Sequence, residues 1–189
     1  DAPATLAIRL VLTAIAAEKP DVVFAFFAGG GAVKFVKDYD AAGLKKSIPL
    51  MGSGFLTDGT LEAQGASAQG LITALHYGDN IETPRNTAFR NKFAVTYKVN
   101  PDVYAMQGYD AAQMLAIGLA TVKGDLSKKD ALYAAMNKAQ IDSPRGKFTL
   151  SPQRNPTQDF YVREVKGNYN VVTGIAVKAL ADPGRGCKP

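Results

Sequence analysis

The sequence predicts an α/β fold with a parallel sheet flanked by helices. Three observations carry this. Short apolar runs recur at spacings that leave room for a helix between them, each run ends in small or hydroxyl-bearing residues, and amphipathic segments of helical period fill the gaps.

The elements follow in order. From Leu6 to Glu18, the residues Ile8, Val11, Leu12 and Ile15 share one helical face, and "EKPD" ends that pattern with a proline. "DVVFAFF" (Asp21 to Phe27) is apolar almost throughout, which predicts a strand buried on both faces of a parallel sheet. After three glycines, Ala32, Val36 and Tyr39 line a helix closed by Gly43, a residue suited to the left-handed position that ends a helix. "SIPLMGSG" predicts a second strand, Thr60 to Ala68 a short helix, and "GLITALHY" a third strand.

The pattern changes at "GDNIETP". Thr83 and Pro84 open a helix whose Phe89, Phe93 and Tyr97 recur at i, i+4 and i+8. A helix from about Tyr104 to Val122 follows, and "SKKD" (Ser127 to Asp130) opens another as a capping box. The end of the chain is β again. "GKFTLS" is a short strand, while "DFYVREV", a turn at "KGNY" and "NVVTGIAV" form a hairpin. The order α/β, then α, then β predicts two lobes, with the chain crossing near 78–81 and again near 157–160.

Composition narrows the function classes. The 189 residues are 47% hydrophobic and 21% charged, as in ordinary folded domains. No run approaches the roughly 18 apolar residues of a membrane helix, and the opening "DAPATLAIRL" shows neither a basic leader nor a cleavage site. The net charge of +5 is spread in ones and twos, with no basic stripe interleaved with aromatics, so nucleic acid is not an expected partner. A single cysteine, Cys187, makes no internal disulfide. With one histidine, His76, and no G-x-S-x-G, neither a hydrolytic triad nor a metal site is expected, and no cofactor is implied.

The candidate site begins with Gly29, Gly30 and Gly31. A dinucleotide fingerprint would need glycine where Lys34 stands, and a phosphate loop would need Ser or Thr where Phe35 follows Lys34. A tight β-to-α turn explains one or two of the glycines. All three fit a ligand site where a strand end meets a helix start, whose N–H groups suit a carboxylate. "MGSGF" (Met51 to Phe55) repeats the arrangement after the next strand, and parallel strands bring such ends to one edge.

Three segments together carry a family resemblance: "KPDVVFAFFAGGGAVKFVKDYDAAGLKKSIPLMGSGFLTDGTLEAQGASAQGLITALHY", "PDVYAMQGYDAAQMLAIGL" and "SPRGKFTLSPQRNPTQDFYVREV". In that order they resemble the C-terminal half of type I periplasmic solute-binding proteins, nearest to the Leu/Ile/Val-binding and aromatic-acid-binding receptors of ABC importers. The landmarks are the strand–glycine–helix unit ending in "AAGL", the "PLMG" strand, the "GYDA" helix and the "RG-F" turn.

The resemblance implies a periplasmic, monomeric receptor of the type I fold that holds a small ligand between two lobes, closes about a hinge, serves an inner-membrane permease and performs no covalent chemistry. It assigns 1–78 and 159–189 to a partial C-terminal lobe and 81–157 to the N-terminal lobe. Ala28 to Gly31 and Ser53, Gly54 and Phe55 then fall at cleft-facing strand ends, His76 and Tyr77 near the crossing, and Tyr104 and Gln107 at the start of an N-terminal-lobe helix. Phe27, Phe55 and Tyr77 would wall an apolar pocket, while Gly29 to Gly31 and the Ser53 hydroxyl would fix a carboxylate.

Two departures qualify the resemblance. The family's receptors are about twice this length. Its amino-acid-binding members place a carboxylate just after the "MG" strand, where this chain has Ser53, Gly54 and Phe55 and its nearest acid is Asp58. That favours a hydrophobic or aromatic carboxylate over an amino acid. A transcriptional regulator with the same ligand-sensing architecture is the first alternative, which a DNA-binding motif ahead of the lobes would mark, and an α/β enzyme is the second and less favoured one.

Overall fold

The computed structural model describes residues 2–186; Cys187 lies outside them. The chain divides into two compact units, one made of residues up to Asn80 with Tyr161–Gly174, the other of Ile81–Phe160 with residues from Ile175 on.

In the first unit the predicted alternation is present: α1 (Ala2–Glu18), β1 (Val23–Ala25), α2 (Gly29–Ala41), β2 (Leu50–Ser53), α3 (Leu61–Gln64) and β3 (Ile72–Leu75). β1 pairs with β2 and β2 with β3, both parallel, with Ala25 opposite Gly52 and Ser53 opposite Ala74. The C-terminal ends of all three strands therefore meet at one edge of the sheet. An antiparallel strand, β5 (Pro156–Lys166), joins β3 with Leu75 opposite Tyr161, and β6 (Tyr169–Leu180) pairs with β5 after a turn in which Gly167 takes φ 60°.

The core lies on the sheet face that carries Ala25 and Leu50, against Leu12 of α1 and Ala32, Phe35, Val36 and Tyr39 of α2. Completely burying Phe35 contributes roughly 1.5–3 kcal/mol. Tyr39 keeps its ring inside by donating its hydroxyl to the Ile48 carbonyl at 3.0 Å, and burial raises its pKa. Gly43, at φ 74°, ends the α2 segment as the sequence requires.

One expectation is corrected here. β1 is not buried on both faces: Ala25 is 6% exposed, but Phe24 is 71% and Phe26 67% exposed. β1 is the outer strand in the order β1-β2-β3-β5, and the helices of this unit cover only the Ala25 face. An apolar run shows that a strand is compatible with two covered faces; it does not supply the second cover.

In the second unit, α4 (Pro84–Tyr97) starts as predicted, with the Thr83 hydroxyl accepting from the Asn86 N–H at 3.0 Å and Pro84 in the first turn. The rings of Phe89, Phe93 and Tyr97 meet one another in sequence along it, the two pairs tilted by 50° and 47°. α5 (Val103–Thr121) is capped by Asp102, whose Oδ1 accepts from the Ala105 N–H at 2.9 Å. α6 (Lys129–Asn137) packs on α5 at Gly118, where a Cβ would come within 2.7 Å of Met136. β4 (Thr149–Leu150) pairs antiparallel with the first residues of β5.

The capping box at Ser127 does not form. Ser127 donates its hydroxyl to Asp125 Oδ1 at 2.6 Å instead, and the cap position falls on Lys128 without a side-chain bond. Asp125 Oδ1 also accepts from the Ser127 N–H at 3.1 Å, so Ser127 is held in a turn closed on the aspartate that precedes it. The structure also divides the chain once more than the sequence reading does, after Gly174. β6 is 12 residues long and continues as one strand past the point where it leaves the first unit, so nothing in its local sequence marks the division.

A candidate ligand site at the strand ends

Three strand ends of the first unit collect the sequence-predicted residues. After β1 the chain turns at Ala28, which is extended, into Gly29, which takes φ 53° and so needs glycine. Ala28 to Gly31 are exposed, and α2 begins without any side-chain cap. The first N–H groups of a helix have no intrahelical partner, so this start carries unassigned donors and the positive end of the helix dipole. A Cβ at Gly30 would meet nothing within 4 Å, and one at Gly31 would make only an ordinary 3.7 Å contact with Phe27. Packing inside the unit thus gives a reason for Gly29 alone.

After β2, the Ser53 Oγ is buried and finds no hydrogen-bond partner among the described residues. Gly54 is required by its surroundings: a Cβ there would lie 2.5 Å from Arg163 Nη2 and 2.5 Å from Leu75 Cβ. Phe55 meets Phe26 edge to face, with ring centroids 6.2 Å apart. Phe27, expected beside Phe55, instead stacks on Phe35 at 4.5 Å and packs against the core. β1 residues alternate between faces, so the aromatic that reaches Phe55 is Phe26, one position earlier. After β3, His76 and Tyr77 are buried, at 7% and 1% exposure. Tyr104, exposed, and Gln107 lie on α5 in the second unit.

Beneath these ends lies an ion pair that the sequence did not reveal. Arg163 of β5 is completely buried, its Nη2 2.7 Å from Asp58 Oδ2. The same guanidinium donates to Thr73 Oγ1 at 3.0 and 3.3 Å and to the Tyr77 carbonyl at 2.9 Å. Asp58, the acid nearest the second strand end, is therefore engaged within the protein. Thr57, beside it, donates to Asn170 Oδ1 at 2.6 Å, tying the same loop to β6.

The second unit holds a comparable pair. Arg145 lies 2.9 Å from Asp110 Oδ2, donates to Gln158 Oε1 at 2.6 Å, and covers the Phe148 ring at 4.2 Å. Ser143 donates to the same Asp110 oxygen at 2.7 Å. Burial raises the Asp110 pKa, against the opposing pull of Ser143 and Arg145, and burial likewise lowers that of Arg145. The "GYDA" helix and the "RG-F" turn are thus two halves of one buried contact. A separate groove of about 480 Å³ between α4 and α5 is lined by Arg85, Phe89, Lys92, Phe93, Tyr97 and Tyr109 among others, and contains neither Tyr104 nor Gln107.

No group of three or more His, Cys, Asp or Glu side chains suited to a metal occurs among the described residues, and no described helix is long and apolar enough to cross a membrane. The site offers backbone donors, one hydroxyl and aromatic surface. Such a set is chemically suited to bind and orient a small ligand.

The family model described as "Periplasmic binding protein" matches residues 4–170. The chain belongs to the periplasmic binding protein family. Among solved structures of such proteins, it is 49% identical, with a TM-score of 0.92, to a solute-binding protein of an ABC transporter from R. palustris in complex with benzoate. That match covers 96% of this chain and 50% of the other. A second solute-binding protein, from Rhodopseudomonas palustris BisB5 in complex with 3,4-dihydroxybenzoic acid, is 29% identical with a TM-score of 0.82, covering 92% of this chain and 49% of that one. A Leu/Ile/Val-binding protein homologue from Brucella melitensis is 33% identical over 149 residues, 76% of this chain and 38% of the relative. This periplasmic binding protein chain therefore spans half or less of the length of the relatives it matches.

Proposed function

We propose that the chain is part of an extracytoplasmic receptor of an ABC importer that binds a small aromatic carboxylate, delivers it to an inner-membrane permease and works as a monomer. The ligand is held, not transformed. It sits at the strand ends of the first unit, with its carboxylate at the uncapped start of α2 and the Ser53 hydroxyl, and its ring against Phe26 and Phe55.

The observation that carries the ligand class is the Asp58–Arg163 pair. An amino acid would bring an ammonium, and burying one without a carboxylate partner costs several kcal/mol. Asp58 is already committed to a buried guanidinium, so the site favours an acid without an amine. The benzoate and dihydroxybenzoate bound by the two R. palustris relatives support the same class.

The two-unit division and the crossings through β5 and β6 support the hinge reading. Ligand contacts made with both lobes only in the closed form would shift the open–closed equilibrium toward the shape a permease recognises. Isothermal titration of the complete protein with benzoate and with leucine tests the proposal. Benzoate should bind at least tenfold more tightly; a preference for leucine would overturn the aromatic-acid reading.

A further inference from the structure

We infer that Arg163 is a positioning residue for the ligand site, aligning the ends of β2 and β3 with the strand that crosses between the units; the inference rests on the site proposed above. Its guanidinium makes three kinds of contact from one completely buried position: the Asp58 carboxylate, the Thr73 hydroxyl and the Tyr77 carbonyl. Asp58 lies in the loop that begins at Ser53 and Gly54, and Tyr77 is the second residue past β3. A planar fork with fixed donor directions imposes an orientation on all three partners at once.

Two further features fit a positioning role better than a purely stabilising one. A buried ion pair is weak evidence of stability, because apolar side chains of similar volume commonly do as well. Gly54, adjacent to Ser53, leaves just enough room for the guanidinium, since a Cβ there would lie 2.5 Å from Nη2. The loop that carries the candidate ligand contacts is therefore laid directly on Arg163. The arginine sits in β5 two residues beyond Tyr161, where β5 enters the first unit. Beside the main-chain ladder that joins β5 to β3, this side chain ties β5 to the loop after β2.

The test uses the complete protein with benzoate as probe, comparing Asp58→Asn, Arg163→Lys and the double variant Asp58→Asn/Arg163→Met. The double variant removes both buried charges, so it is expected to unfold cooperatively, yet to bind benzoate at least tenfold more weakly. Asp58→Asn keeps the bonds to Thr73 and Tyr77 and should lose less than Arg163→Lys, whose single nitrogen cannot span all three partners. A merely structural arginine would lower the melting temperature and leave the affinity of folded molecules unchanged. Wild-type affinity in the folded double variant overturns the inference; if that variant does not fold, wild-type affinity in Arg163→Lys does so. Should the wild-type protein itself bind no benzoate, the proposed ligand class fails separately. Amide exchange then decides: selective loss of protection at 54–58 and 77–79 in Arg163→Lys, with β1 and β2 unchanged, supports the role of Arg163, and unchanged protection overturns it.

Discussion

Replacing Gly54 with alanine probes the packing under the site most directly. The added Cβ would lie 2.5 Å from Leu75 Cβ, 2.7 Å from Leu75 Cδ2 and 2.5 Å from Arg163 Nη2. Unstrained carbon contacts fall near 3.5–4.0 Å, so neighbours must retreat by about 1 Å. Overpacking of that kind costs about 1–3 kcal/mol. Moving the guanidinium also weakens bonds to Thr73 and Tyr77, and losing one hydrogen bond to a charged group costs about 1.5–3 kcal/mol more. The expected destabilisation is about 2.5–6 kcal/mol, a fall of roughly 1.3–3 M in the urea midpoint for a slope near 2 kcal/mol/M. Gly30→Ala is the control. Its Cβ would meet nothing within 4 Å and its φ lies outside the left-handed region, so it should be neutral or stabilise by up to about 1 kcal/mol. A Gly54→Ala midpoint within about 0.3 M of wild type would refute the packing argument, because no relaxation that small accommodates such an overlap.

Gly30→Val should leave the melting temperature close to wild type while weakening benzoate binding severalfold by calorimetry, since only a ligand at the α2 start would meet the new side chain. Ser53→Ala should be neutral or slightly stabilising without ligand, because Oγ has no partner among the described residues, and should weaken benzoate by roughly fivefold, about 1 kcal/mol. Phe27→Ala should destabilise by about 2–4 kcal/mol in urea unfolding, as Phe27 stacks on core Phe35, whereas Phe26→Ala should change stability little and affinity more. Asp110 gives a pH signature. Its pKa is raised above the ordinary 3.8, so in the window just above that value the folded protein holds a proton that the unfolded chain has released. Stability from this group is complete below the window and declines as pH rises through it. The melting temperature of wild type relative to Asp110→Asn should fall as pH increases from about 4, and a difference that rises with pH would contradict burial as the dominant cause.

The order of strands and helices was legible because punctuation and period agree locally. Thr83 and Pro84 form a helix start by their own chemistry, and Ala32, Val36 and Tyr39 share a face by spacing alone. Facts about neighbours were not legible. "DVVFAFF" is apolar at nearly every position, so nothing in it says which face of β1 a helix covers, or that Phe26 and not Phe27 reaches Phe55. Ser127 satisfies the capping pattern, but Asp125, whose carboxylate accepts both its N–H and its hydroxyl, stands two residues ahead of that pattern. Arg163 sits in a run that signals a hairpin, where a charged residue is ordinarily solvated. Its bond to Thr73 spans 90 positions, a distance at which spacing carries no information.

The least legible residues share one physical device. Each unit encloses an arginine against an aspartate, Arg163 with Asp58 and Arg145 with Asp110. Such pairs are expensive to bury and seldom outperform apolar packing, so their use calls for a reason other than stability. Both networks grip β5: Arg163 is part of that strand in the first unit, and Arg145 holds Gln158 of the same strand in the second. Between these anchors lie only 159–162, which contain the boundary between the units at Phe160 and Tyr161. Directional, charge-assisted bonds fix the register of β5 within each unit, whereas apolar contacts would allow it to slide.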